Sequence, residues 1–409
     1  MDDKQRVFST LGALFLIVAL AVNPATGFAE EKYVTYFHSG PLTGPGAGAT
    51  VPFVQGIADF FKEFNDKGGF NGVTIKYIAI DDRYDVARGI AAFQRYRRAH
   101  KLIAIHPTHT AMVLTLNPII TKDQVVMFSS GAAGEWAIRP GWIFFLNPPY
   151  QDGLGGALDF MLADWKKKGK QGVPKIGYLG WDPAGRNHLN GGQEYAQKIG
   201  VKLLQPEFFP PGSLKHDTWL TRIADQGANY LFLQGVDPAQ TNVIRDAHAL
   251  GLTEKITMVS DYFGLLDTLG VRIHPKELEG SYLVSPYIRG DERIQHPFAE
   301  LWKKYQKKPA EEMDAFYLVG IAQASVVIAA LKIALEDVGY DRINGKAFFD
   351  AMLKMKGMDP TKGIMGKLHY SPESRRGGRD VKFYQVHGGK LVPVTGWIQT
   401  PDCISLGKF

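Results

Sequence analysis

Residues 33–82 read YVTYFHSGPLTGPGAGATVPFVQGIADFFKEFNDKGGFNGVTIKYIAIDD. The apolar run from Tyr33 to His38 predicts a first strand. A loop carrying Gly44, Gly46 and Gly48 follows, and then Phe53, Ile57, Phe60, Phe61 and Phe64 recur at helical spacing. Gly68-Gly69 stops that helix, and Val73 to Ile80 forms the next strand, ending in Asp81-Asp82. A strand, a short loop, an amphipathic helix and a second strand make the repeating unit of a parallel sheet. Glycines ahead of a helix let backbone N–H groups approach a ligand, and the helix start favours negative charge. A phosphate, another small molecule and a turn that binds nothing are all open at this point.

The alternation continues outward. A helix from Val86 to about His100, a strand from Leu102 to His106 and a strand from Val125 to Ser129 complete one series. A second begins with strand Lys175–Leu179 and helix Asn190–Ile199, followed by strand Val201–Pro206 and helix Leu214–Gln226. It continues with strand Tyr230–Leu233, helix Pro238–Leu250 and strand Ile256–Ser260. Asn147-Pro148-Pro149-Tyr150-Gln151-Asp152 between the series suits a crossover. After Tyr282–Pro286 come helices over Pro297–Tyr305 and Phe316–Asp337, then hairpin strands Lys382–His387 and Lys390–Pro393 around Gly388-Gly389. The chain has 409 residues, 45% of them hydrophobic, which is more than one typical domain needs. The pattern predicts an α/β protein of two Rossmann-like, parallel-rich lobes.

Composition and missing motifs exclude several functions. The net charge is +6, but the basic residues are spread along the chain. The densest run, Lys166-Lys167-Lys168 with Lys170, reads as a solvated helix end, so no nucleic-acid partner is expected. Lys4 and Arg6, the apolar run Val7–Val22, and Gly27-Phe28-Ala29 predict an export signal over residues 1–29. Asp2 and Asp3 keep an uncleaved anchor as the alternative. The expected product is a soluble exported protein of the periplasm. Phe316–Asp337 reads as a buried helix because Gln323, Lys332 and Glu336 interrupt its apolar run. Cys403 is the lone cysteine, so no internal disulfide or thiolate cluster can form. G-x-x-x-x-G-K-[ST], G-x-G-x-x-G, H-E-x-x-H and G-x-S-x-G do not occur around these elements. His106 and His109 lack further metal ligands nearby, and Asp81-Asp82…Asp85 at a strand end reads as helix capping before acid–base work. No cofactor, no metal and no catalytic set is expected.

Ser39-Gly40-Pro41-Leu42-Thr43-Gly44, Asn65-Asp66-Lys67-Gly68-Gly69-Phe70-Asn71-Gly72 and Asp81-Asp82-Arg83-Tyr84-Asp85 resemble the leucine/isoleucine/valine-type periplasmic binding proteins. The resemblance continues through Ser129-Ser130-Gly131-Ala132-Ala133, Trp181-Asp182, Gly366-Lys367-Leu368 and Phe383-Tyr384-Gln385-Val386, and covers nearly the whole mature chain. It implies two α/β lobes joined by a three-crossover hinge, with a small-molecule solute held in the cleft between them. It also implies monomers that deliver the solute to ABC permease subunits in the inner membrane. The implied division is residues 30–148 plus 286–365 for the N-terminal lobe and 149–285 plus 366–409 for the C-terminal lobe. The glycine loop after the first strand would then line the cleft rim.

The resemblance places the grip on a ligand carboxylate at Thr110, beside His109, and at Ala132 and Ala133, with Ala133 standing where the family usually has a threonine. In the second lobe a family tyrosine is missing from Trp181-Asp182-Pro183-Ala184-Gly185-Arg186-Asn187, where Trp181 offers an aromatic face. Another falls at Val236 in Gln234-Gly235-Val236-Asp237 and is lost. The acidic partner of the ligand ammonium falls at Asp261, next to Tyr262. The candidate binding set is Thr110, His109, Ala132, Ala133, Trp181, Gln234, Asp261 and Tyr262. Because both amino-acid grips are altered, an aromatic or amide-like solute is as well accommodated as an amino acid. Trp136, Tyr150, Trp181, Tyr262 and Phe263 are the rings available for stacking. A solute sensor for a membrane receptor and an exported enzyme are the competing functions.

Overall fold

A computed structural model describes residues 31–409 except Ala132, Ala133 and Leu266. The expected export signal over residues 1–29 lies outside the described residues, as do Ala132 and Ala133.

The first sheet has the strand order β2-β1-β3-β4-β5, with every neighbouring pair parallel. Its strands are β1 (Tyr33–Gly40), β2 (Thr74–Asp81), β3 (Leu102–Pro107), β4 (Val126–Ser129) and β5 (Ile143–Phe145). Helices α1 (Ala47–Asp66), α2 (Val86–Tyr96), α3 (Thr110–Asp123) and the single turn α4 (Glu135–Ile138) connect them. α5 (Tyr150–Lys167) leads into the second sheet, built on β6 (Lys175–Trp181), β7 (Lys202–Leu203), β8 (Glu207–Phe209), β9 (Tyr230–Leu233), β10 (Thr257–Ser260) and β11 (Tyr282–Ser285). The kinked α6 (Leu189–Lys198), α7 (Asp217–Asp225) and α8 (Ala239–Ala249) cross between those strands. Helices α9 (Gly290–Gln295), α10 (Ala299–Gln306), α11 (Ala315–Arg342) and α12 (Gly345–Leu353) follow, then the small pair β12 (Lys356–Met358) and β13 (Leu368–His369). The chain ends with β14 (Asp380–His387), β15 (Lys390–Pro393) and β16 (Ile398–Gln399). β14 joins the second sheet antiparallel to β11, and β15 turns back on it through Gly388-Gly389.

The expected elements recur with local corrections. The strand expected over Val201–Pro206 is shortened to β7, and β8, not expected from the sequence, begins only after Pro206, which cannot donate to a ladder. The proposed crossover at Asn147–Asp152 is shorter than read: α5 already begins at Tyr150. α1 stops as expected. Gly68 and Gly69 both take positive φ, and their N–H groups donate to Asn65 and Phe64 carbonyls of the last turn. The capping reading of the acidic cluster holds for Asp85, which accepts from Arg88 N and caps α2. It fails for the other two. Asp81 accepts from Leu42 N, Thr43 N and Arg83 N and so holds the glycine loop, while Asp82 accepts from Ser39 Oγ.

α11 has the length and hydropathy of a membrane span, yet 83% of its apolar window is buried inside the protein. It lies against α1 at backbone distance. A Cβ on Gly56 would stand 2.0 Å from the Tyr317 carbonyl oxygen, and one on Gly320 would stand 2.1 Å from that of Phe53. The chain passes between the sheets three times, after β5, after β11 and before β14. Residues ahead of the last passage remain with the first sheet: Tyr370 donates to the Phe145 carbonyl, and Gly377 N donates to the same oxygen. Buried Asp152 pins the tail by accepting from the Cys403 and Ile404 N–H groups and from Arg376. Cys403 is fully buried, and burial pushes its thiol well above the usual range, as expected of packing.

Candidate ligand-binding cleft

Parallel sheets present loops at the carboxyl ends of their strands, and ligands sit there. A cavity of about 90 Å³ lies where the carboxyl ends of both sheets meet. From the first sheet come Pro41 after β1, Tyr84 after β2, Thr108 and Thr110 after β3, and Ser130 after β4. From the second come Trp181 at the end of β6 and Ala184 after it, Gln234 and Val236 after β9, Phe263 after β10 and Tyr287 after β11. Gly46, Ala49, Thr50 and Phe53 bring in the glycine loop and the start of α1, and Phe316 and Val319 bring in the start of α11. The opening loop therefore lines the cavity rim through Pro41 and Gly46. Among the described residues, no Asp, Glu, Lys or Arg lines this cavity.

The two walls touch. The ring of Tyr84 meets that of Trp181 edge-on at 6.1 Å between centroids. Tyr84 is held from behind by stacking on His109 at 4.4 Å, and His109 Nε2 lies 2.8 Å from Asp82 Oδ1. Trp181 is 3% exposed, and its backbone N–H donates to Gln234 Oε1. Its indole Nε1 is buried without a hydrogen-bond partner, and so is Thr108 Oγ1. His106 Nε2 stands 3.1 Å from Ser130 Oγ. Burial holds His106 down to about 3, and holds the adjoining His38 well below its ordinary range, so these rings are neutral supports. No group of three or more His, Cys, Asp or Glu able to hold a metal occurs among the described residues.

The cavity includes Thr110, Trp181 and Gln234 from the candidate set. His109 stands one layer behind, as the support of Tyr84. Tyr262 points elsewhere: its hydroxyl packs on Gly153 of α5, where a Cβ would come within 1.9 Å. Asp261 is 1% exposed and is clasped by Gln240, whose Nε2 donates to Asp261 Oδ1 at 2.5 Å while Asp261 N donates to Gln240 Oε1. Phe263 N donates to the same Oδ1. Of the candidate rings, Tyr150, Trp181 and Phe263 line the cavity, whereas Trp136 and Tyr262 do not. Tyr84, Phe53, Phe316, Thr108 and Ser130 were not singled out from the sequence. Tyr84, Thr108 and Ser130 share one readable signal, a place within three residues of a strand's carboxyl end.

Burial pushes Asp261 up to about 8. His188 Nε2 stands 3.7 Å from Asp261 Oδ2, beyond hydrogen-bond reach, and burial holds that ring down to about 3, so the two face each other uncharged. A raised carboxyl keeps its proton in the folded chain while the unfolded chain loses it near pH 4. The associated stability is complete below that pH and is lost as pH rises through about 8. Asp261→Asn cannot ionise and keeps an acceptor for Gln240 and Phe263. The variant is expected to match the parent at pH 4 and to exceed it at pH 8 by on the order of 5 kcal/mol. Calorimetric melting at the two pH values checks this.

Residues 38–390 match the family model described as periplasmic binding protein. The chain belongs to the periplasmic binding protein family. Its relatives include an amino acid binding protein of Pseudomonas aeruginosa, 25% identical over 255 residues that make up 58% of this chain. That match spans 64% of the Pseudomonas protein's length. A Leu/Ile/Val-binding protein homolog 2 of Brucella abortus is 23% identical over 88% of this chain and 91% of its own. The fold is that of a branched chain amino acid ABC transporter protein from Thermus thermophilus with bound valine, with a TM-score of 0.80 at 21% identity over 91% of this chain and 98% of that one. This periplasmic binding protein thus has the two-lobed fold and the family of solute-binding proteins, which are not enzymes.

Proposed function

We propose that this protein captures a small organic solute between its lobes and delivers it to the permease of an ABC importer, acting as a periplasmic monomer without catalysis. The observation that carries the reading is the cavity at the joined carboxyl ends of both sheets, bounded by the Tyr84–Trp181 contact from opposite walls. Relatives named as amino acid binding and Leu/Ile/Val-binding proteins support it. Thr110, Trp181 and Gln234 contact the solute, and His109 holds Tyr84 over it. An aromatic, amide-like or amino-acid-like solute fits a wall of rings and hydroxyls. We place the lobes at residues 30–148 plus 286–377 and 149–285 plus 378–409. The bonds of Tyr370 and Gly377 to the Phe145 carbonyl support a third crossing after Gly377, where the resemblance implies one at 366.

Capture at micromolar solute corresponds to about −8 kcal/mol. A ligand at a hundred times its Kd stabilises the folded state by about 2.7 kcal/mol. A thermal-shift screen of several hundred metabolites on the purified mature protein is expected to give a small group of chemically related stabilisers, with unaltered ligand recovered afterwards. A screen without a single stabiliser, or recovery of a converted product, overturns the reading.

A further inference from the structure

The chemistry of the cavity narrows what it can hold. A buried ammonium needs a counter-charge or a full set of acceptors, because burying an unpaired charge is strongly unfavourable. No carboxylate lines the cavity among the described residues. The acidic side chain nearest in sequence to the lining residue Phe263 is Asp261, and it is turned away. Gln240, itself 1% exposed, holds it from both sides through Oδ1 and the backbone N–H, and donates as well to the Gly235 carbonyl. Its other oxygen, Oδ2, faces His188, a buried ring stacked on Tyr150 at 4.6 Å.

The charged group in contact with the aromatic wall is a cation. Arg289 is fully buried, with its guanidinium 5.1 Å from the ring centroid of Phe316, which lines the cavity and stacks on Phe263. Arg289 donates to the Tyr262 carbonyl and to Ser285 Oγ, and Asp267 and Asp314 act on it from nearby. A cation in the cavity would meet a π surface already in contact with a cation, which weakens any cation–π hold there.

Asp261 Oδ2 is buried without a hydrogen-bond partner but lies outside the cavity lining; among the lining side chains the unmet polar atoms are the donor-only Trp181 Nε1 and the Thr108 hydroxyl, which can donate. Trp181 Nε1 can only donate, is nine-tenths buried and has no partner. Across the cavity, Thr108 Oγ1 is also unpartnered, next to the hydroxyls of Thr110 and Ser130. A buried donor without an acceptor is unfavourable, so the occupant supplies one.

Resting on the solute-capture reading, we propose that the solute carries no ammonium group and presents acceptor oxygens, of a carbonyl or a carboxylate, to the Trp181 indole and to the Thr108–Thr110–Ser130 hydroxyls. Gln240 is the positioning residue that withdraws Asp261 from the cavity. The protein is a binder of deaminated or amidated solutes within a family whose relatives here carry amino-acid names.

Matched quartets test this by titration calorimetry on the mature protein. One is L-phenylalanine, 3-phenylpropanoate, 3-phenylpropanamide and phenethylamine; the other is L-leucine, 4-methylpentanoate, 4-methylpentanamide and 3-methylbutylamine. The carboxylate or the amide is expected to bind at least tenfold tighter than both ammonium-bearing members, and the order of those two identifies the acceptor. In Asp261→Asn the ranking is expected to persist. An amino acid or amine binding as tightly as its ammonium-free partner, or a tenfold loss of it in Asp261→Asn, overturns the inference alone. If both quartets are silent, the metabolite screen decides: ammonium-free stabilisers support the inference and an ammonium-bearing one overturns it. No stabiliser of any kind sinks the capture reading, and the inference with it.

Discussion

Gly320→Val is expected to cost at least 3 kcal/mol of stability, lowering the melting temperature by many degrees or leaving no soluble protein. The reason is geometric. Even the first carbon of the side chain would stand 2.1 Å from the Phe53 carbonyl oxygen and 3.0 Å from Ile57 N. Those atoms are backbone of α1, which cannot swing aside as a side-chain tip can. Gly56 faces the reverse problem against Tyr317, so relief on one helix worsens the fit on the other. Both helices are buried in the same core, where α11 contributes residues from Phe316 to Leu335. Ala329→Ser, half-buried on the same helix, is expected to change stability by well under half as much. Calorimetric or circular-dichroism melting of both variants separates a close helix approach from a general intolerance of α11.

The close approach shows where sequence reading ran out. The apolar run of α11 was legible, and so was its burial, because Gln323 and Lys332 interrupt it. Nothing in the run told that Gly320 would meet Gly56 of another helix. The alternation of strands and helices was legible because each apolar run is bounded by glycine, proline or acidic residues. α3 and α5 were not, and the reasons are local: Pro118 interrupts the first, and Gly153, Gly155 and Gly156 dilute the second. Those glycines are there for neighbours, since a Cβ on Gly155 would stand 2.1 Å from Cys403 Sγ.

Trp181→Ala is expected to lower solute affinity by about 30-fold, the loss of a buried aromatic anchor worth about 2 kcal/mol. Three contributions go at once: the ring surface, the contact that ties it to Tyr84 on the opposite wall, and the unpartnered indole N–H. Trp181→Phe keeps the first two and removes only the donor. It is expected to lose about tenfold for a solute with an acceptor oxygen, in line with one hydrogen bond to a desolvated or charged partner. Titration calorimetry gives the affinities, and a melting curve of each free variant shows that the second sheet, in whose core Trp181 packs, is still formed.

The cleft was legible to the extent that single positions carried it. Trp181 ends a strand and Thr110 and Gln234 come within three residues of one, and the resemblance to the leucine/isoleucine/valine-type binding proteins singled them out. Asp261 follows β10 in the same way, yet it is absent from the cavity lining. Its fate is decided by Gln240, a residue on the helix before it, through a pair of hydrogen bonds that no spacing announces. Tyr84 was quoted only as part of a motif, because its role depends on a partner ring nearly a hundred positions away. Cleft chemistry is a property of pairs brought together by the fold, and the sequence displays its members singly.

Small-angle X-ray scattering of the mature protein, with and without a saturating stabiliser from the metabolite screen, tests the central claim most directly. Capture between closing lobes predicts a smaller radius of gyration with the solute bound, and a free Trp181→Ala variant that stays in the larger form until far more solute is added. A solute that binds tightly while leaving the scattering curve of the parent protein unchanged would contradict it.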